Sequence, residues 1–141
     1  PDVLAAALLE DPMGLKAYEM FKNYAQSKLA QVLVAAELQR REGPAGVTSI
    51  SMHPGSVYTE VTRSMPQLVQ LGYALAQPLC RAMQPTVAQA AGGVVHGVTC
   101  STPERLAGAY LERCRAVQAA HVVENKELCR KVWEMSERMV K

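Results

Sequence analysis

The chain has 141 residues, 49% of them apolar, with 15 lysines and arginines against 13 acids and a formal net charge of +2. That size and composition bury one core of ordinary extent and exclude a disordered, collagenous or fibrous chain, while scattered, nearly balanced charge excludes the footprint of a nucleic-acid binder. Cys80, Cys100, Cys114 and Cys129 are dispersed without a C-x-x-C pair, which reads as reduced thiols with no metal site, and the apolar stretch from Leu68 to Met83 is broken by Gln70, Gln77, Pro78 and Arg81, short of the roughly 20 residues a membrane span needs.

In chain order, Pro1 to Leu15 is undecided between loop and helix, and no basic-then-apolar leader precedes Leu4 to Leu9. From about Ala17 to Arg41 the residues favour helix, and Leu29, Val32, Leu33 and Ala36 recur at helical spacing as one buried stripe. Gly43-Pro44-Ala45-Gly46 ends that helix. Val47 to Met52, bounded by this turn and by His53-Pro54-Gly55, is predicted to be a short buried strand. Residues from about Met65 to Met83 read as helix interrupted at Pro78, and Pro85 opens another helix that runs through Thr99 despite Gly92-Gly93. Ala109 to Leu111 is a candidate short strand, and Arg113 to Glu124 is undecided. Asn125 is placed to cap a last helix with Leu128, Val132, Met135 and Met139 on one face. Helices alternating with strands and no internal repeat indicate one α/β domain or part of one.

The chemistry concentrates in the first long helix. Tyr24 and Lys28 are four apart and rise from the same face, so the ammonium is within reach of the phenol. A free phenol titrates near 10, so a phenolate at neutral pH asks for roughly 4 kcal/mol of preferential stabilisation. One neighbouring cation supplies part of this and a second positive charge more, making the pair a general acid/base for alcohol and carbonyl interconversion. Spacing alone does not select it, because Tyr18 and Lys22 share the same separation and either pair is otherwise two solvated residues on a helix.

Context selects Tyr24. The string Tyr24-Ala-Gln-Ser-Lys-Leu-Ala30, a helix rich in Val, Leu and Ala, Gly-Val-Thr before a strand, and then His53-Pro-Gly-Ser-Val-Tyr-Thr59 resembles the short-chain dehydrogenase/reductase family. About thirty residues separate Tyr24 from Pro54, the interval that family uses, whereas Tyr18 lies one and a half turns too early. The resemblance implies a doubly wound Rossmann-type parallel sheet, with Tyr24 as acid/base and Lys28 lowering its pKa and bonding the nicotinamide ribose. It places Pro54 and Gly55 beside the nicotinamide, Val57 on its carboxamide, and Thr59 near the carboxamide or pyrophosphate of NADP or NAD, with NADP favoured. Gly55, lacking a Cβ, admits a ring close to the backbone, and its null alternative is a simple turn. Ser27 is positional only.

Leu75-Ala76-Gln77-Pro78, Met83-Gln84 and the tail Val132-Trp133-Glu134-Met135-Ser136-Glu137 look like the retinol dehydrogenases and the WW-domain-containing oxidoreductase within that family. This implies a lipophilic, retinoid- or steroid-like alcohol or carbonyl substrate, with Met65, Leu68, Leu71 and Leu75 suited to an apolar pocket wall or, as the bland reading, to ordinary helix burial. His53 reads as a packed residue, His96 and His121 have no role, and Trp133 is core filler.

Before Tyr24 there is one glycine, Gly14, and no serine, so neither the family's glycine-rich cofactor turn nor its catalytic serine has a candidate. The chain is therefore expected to be the C-terminal part of such a domain and inactive alone. Its uncovered apolar helix faces would need the N-terminal half or a partner chain, and its setting would be cytoplasmic or the cytosolic face of a membrane. The alternative is a catalytically silent relative kept for protein interaction. The intact pair favours the enzyme, since a silent relative is free to lose it.

Overall fold

A computed structural model of the chain describes residues 2–55, 66–79, 84–117, 119 and 121–141. They divide into two compact units, one of Pro1–Ser51, Ser101–Tyr110 and Ala116–Lys141, the other of Met52–Cys100 and Leu111–Arg115.

In the first unit the undecided N-terminus is a helix, α1 (Asp2–Glu10), and the long helix forms as α2 (Met20–Glu42). Ala5 and Leu8 of α1 pack against Leu33 of α2 and against Leu128, Cys129, Val132 and Met135 of the C-terminal helix (Lys126–Val140), with Val122 closing the cluster. The C-terminal helix follows its sequence pattern closely. Asn125 Oδ1 accepts from Leu128 N–H at 3.0 Å, satisfying one of the donors a helix start leaves free. Leu128, Val132 and Met135 are buried as expected, whereas Met139, on the last turn, is half exposed.

The stripe on α2 differs from the expected one in its chemistry. The fully buried positions are Gln26, Leu33 and Glu37, and Leu29, Val32 and Ala36 lie only partly buried beside them. Glu37, 7% exposed, accepts from Arg40 Nη1 at 2.6 Å and Arg41 Nε at 2.9 Å. Arg40 Nη2 also donates to the Val123 carbonyl at 3.2 Å, and the Arg41 guanidinium lies over the Trp133 ring, 4.9 Å from its centroid. Trp133, predicted as filler, is thus the aromatic seat of an ion cluster that joins α2 to the C-terminal helix. Burial raises the pKa of Glu37, but the hydrogen bonds from Arg41 and Arg40 outweigh it and hold the carboxyl below its ordinary 4.5.

Strand β1 covers only Ser51–His53 rather than 47–52, and it is half-buried. It pairs with β2 (Tyr110–Glu112), which pairs in turn with β3 (Arg115–Val117), in the order β1-β2-β3. Gly108 N–H donates to the Ser49 carbonyl and Ser51 N–H to the Ala109 carbonyl, so contacts advance in the same sense along both chains and β1 and β2 run parallel. Upstream of β1, Ser49 turns to α2, its N–H donating to Gln39 Oε1 at 2.7 Å and its hydroxyl to the Ala35 carbonyl at 2.9 Å. The protein is mixed α/β, and its described residues form this small three-stranded sheet.

The undecided stretch after Glu112 is a hairpin. Arg113 and Cys114 connect β2 to β3 with φ of 49° and 62°, the two successive positive values of a type I′ turn.

In the second unit, α3 (Gln67–Leu75) stops at Ala76, two residues before the proline predicted to interrupt it. Pro78 lacks an N–H and its ring crowds the carbonyl four residues earlier, so the break falls upstream of it. The next helix, α4 (Val87–Thr99), begins at a reciprocal cap that the sequence reading passed over, with Thr86 Oγ1 accepting from Gln89 N–H and Gln89 Oε1 accepting from Thr86 N–H. Gly93 lets α4 approach β1, for a Cβ there would lie 2.8 Å from Met52 Cε.

Replacing Glu37 with Gln is expected to destabilise the protein by about 1–3 kcal/mol at pH 7, because the two partly exposed arginines lose the buried carboxylate that both of them bond. Since the folded pKa is depressed, the contribution of Glu37 is complete above its ordinary 4.5 and is lost as pH falls through the lower folded value. Urea unfolding of both proteins should therefore show the difference narrowing between pH 6 and pH 3, and a constant difference would contradict this account.

Candidate active site

The start of α2 is built by a short polar loop. The Asp11 carboxylate accepts from the N–H groups of Leu15 at 2.8 Å, Lys16 at 2.9 Å and Ala17 at 3.4 Å. Desolvation raises the pKa of Asp11, but these backbone donors and the Lys16 charge bring it below its ordinary value. Gly14, at φ +66°, packs on Asn23, and a Cβ there would collide with Asn23 Nδ2. Asn23 Oδ1 in turn accepts from Glu19 N–H at 2.9 Å, supplying the cap that Glu19 itself does not. The sequence holds a trace of this in the lone Gly14 between Asp11 and a helix-forming run, but the partner of the cap lies inside the helix rather than at its first residue.

One turn later, Tyr24 is 62% exposed, with Lys28 Nζ over its ring, 5.5 Å from the centroid. Ser27 Oγ donates to the Tyr24 carbonyl at 2.7 Å and so is occupied with the backbone. At about 100° per residue, Tyr24 and Lys28 face away from the buried Gln26, Leu33 and Glu37 on the opposite side of α2. The competing pair is separated by the fold, because Tyr18 precedes the first residue of α2 and Lys22 is paired with Glu19 at 3.3 Å.

Pro54 and Gly55 follow β1 in the second unit. Gly55 has φ +89°, and the space its Cβ would fill is taken by Pro85, whose Cγ would stand 2.9 Å away. The turn and Pro85 thus both call for glycine at this position. Val57, Thr59 and Met65 lie outside the described residues. On α3, Leu68 is 82% exposed, and Leu71 and Leu75 are also exposed. Within the same unit a cleft of about 510 Å³ opens beside Pro54, walled by Met52, His53, Gln84, Pro85 and Arg113 among others, with Leu68 and Leu71 outside its lining. Among the described residues no cluster of His, Cys, Asp or Glu is placed to hold a metal, and no helix is long and apolar enough to cross a membrane.

Comparison with known proteins supplies the kinship. No family model matches the chain. It is 34% identical over 127 residues, 89% of its length, to a chicken (Gallus gallus) WW domain-containing oxidoreductase, and 34% identical over 118 residues to the human one. It is 31% identical over 126 residues, again 89% of its length, to mouse (Mus musculus) retinol dehydrogenase 12. The chain spans 30%, 27% and 38% of those relatives respectively. Both groups that the sequence resembles therefore appear among its relatives.

Because the Gly14 contact sets the start of α2, Gly14→Ala combines a left-handed backbone with a collision and is expected to lower stability by about 1–2 kcal/mol. Urea unfolding monitored by circular dichroism reads this directly, and an unchanged midpoint would show that the loop does not hold the helix.

Proposed function

We propose that this chain, a member of the short-chain dehydrogenase/reductase family, serves an oxidoreductase that interconverts an alcohol and a carbonyl, with Tyr24 as acid/base. The observation that carries the reading is the pairing of an exposed phenol and an exposed ammonium on the face of α2 that the core leaves open. In the carbonyl-reducing direction Tyr24 Oη gives its proton to the substrate oxygen as that oxygen becomes an alkoxide, and it takes the proton back in the reverse direction. Lys28 is the cation placed over the Tyr24 ring.

A nicotinamide cofactor, when bound, supplies or accepts the hydride. The residues present suit its ribose end, since among the described residues Lys28 has no carboxylate partner and its donors are open to a ribose hydroxyl. Pro54, Gly55, Val57 and Thr59 are assigned to the nicotinamide by resemblance alone. We favour NADP over NAD, and a lipophilic alcohol or carbonyl, from the kinship with proteins named retinol dehydrogenases. Met65, Leu68 and Leu71 are then its apolar wall.

The exposed leucines of α3 and the exposed Val94, Val95 and Val98 of α4 favour a second surface role, in which further polypeptide of the intact protein or a partner chain covers them. A protein kept only for such contacts, without chemistry, would have no use for the Tyr24 and Lys28 pair.

In the intact protein, Tyr24→Phe is expected to lower NAD(P)H-linked turnover of an apolar aldehyde by a factor of about 10²–10⁴ while leaving the fold intact. Turnover equal to the parent would remove Tyr24 from the mechanism.

A further inference from the structure

The cleft beside Pro54 has a character that the apolar substrate alone does not explain. It opens where two parallel strands end, β1 at His53 and β2 at Glu112, the side on which open α/β sheets bind ligands. Its volume of about 510 Å³ is that of a small-molecule site. Met52, Pro85, Ala90 and Gly93 give it an apolar floor, but its lining also includes Arg113 and Gln84 and, among the described residues, no aspartate or glutamate.

Arg113 has no acidic partner among the described residues. It is held at φ 49° in a turn for which Asn and Gly are the usual residues. A guanidinium kept at a positive φ beside a cleft whose described lining holds no counter-charge is suited to an oxyanion, which it can engage through two parallel N–H donors. Gln84 lines the cleft and its Oε1 is buried without a hydrogen-bond partner among the described residues, an acceptor that a turn of the side-chain amide toward the cleft would offer to a ligand hydroxyl.

We propose that this cleft binds a compact ligand bearing an oxyanion, with Arg113 as anchor and Gln84 as acceptor for a neighbouring hydroxyl. In terms of the function above, on which only the identity of that hydroxyl rests, the substrate is an amphiphilic alcohol or carbonyl with an acidic end. The same oxyanion chemistry is available from a carboxylate or from a phosphate-bearing ligand, and the two are separable.

Isothermal titration of the intact protein tests this without turnover, using 4-(hydroxymethyl)benzoate, 4-methylbenzoate, 4-methylbenzyl alcohol and inorganic pyrophosphate as probes. Arg113→Asn is the informative variant, because asparagine suits the turn and removes the charge without endangering the fold. The expected result is about tenfold or greater weakening of both carboxylates with the neutral alcohol unchanged within twofold. Gln84→Leu should weaken 4-(hydroxymethyl)benzoate but not 4-methylbenzoate. Dependence on Arg113 confined to pyrophosphate keeps the oxyanion anchor and assigns it to a phosphate-bearing ligand. Equal weakening of charged and neutral probes, or no change in any, overturns the proposal. Failure of the oxidoreductase reading is separate, since it appears as turnover that survives Tyr24→Phe while the Arg113-dependent binding persists.

Discussion

The first unit depends on one buried carboxylate. Glu37 is enclosed at the end of the packed face of α2, and without Arg40 and Arg41 its charge would oppose burial rather than permit it. Through Arg40 to the Val123 carbonyl and through Arg41 to the Trp133 ring, the same ions tie α2 to the C-terminal helix. This locks the rotation of α2 about its axis. A helix turned otherwise would bury Tyr24 or expose Leu33, so the polar cluster specifies which face of α2 is left exposed.

What could be read in the sequence follows from this. The C-terminal helix, its Asn125 cap and its apolar stripe were legible because each is local and repeats at helical spacing. The stripe on α2 was misplaced toward Leu29 and Val32, because a reading that counts apolar residues cannot anticipate that a glutamine and a paired glutamate occupy its centre. The hairpin after Glu112 was invisible for a related reason, since its turn carries Arg113 and Cys114 where the recognisable signal is Asn-Gly. Burial of the strand at 47–52 was expected from its β-branched residues, but a strand's burial depends on its neighbours, which a single run of sequence does not contain.

The candidate site was legible in a different manner. Tyr24 was chosen over Tyr18 by family pattern, and the fold offers an independent physical distinction, in that one lies on α2 with its lysine and the other precedes it. The same pattern singles out the Pro54 loop, while the contact that calls for glycine at position 55 is not legible in it, because Pro85 is thirty residues away in sequence and meets Gly55 only in three dimensions. The chain spans about a third of the relatives named above, and α3 and α4 leave apolar side chains exposed among the described residues.

The turn at Arg113 and Cys114 has an evolutionary consequence. Positive φ at two residues with side chains costs stability that a single mutation to glycine or asparagine would return. Drift toward greater stability would therefore erase this turn's present residues readily if nothing opposed it. At this hairpin a substitution made for stability and any demand on the Arg113 guanidinium would pull in opposite directions.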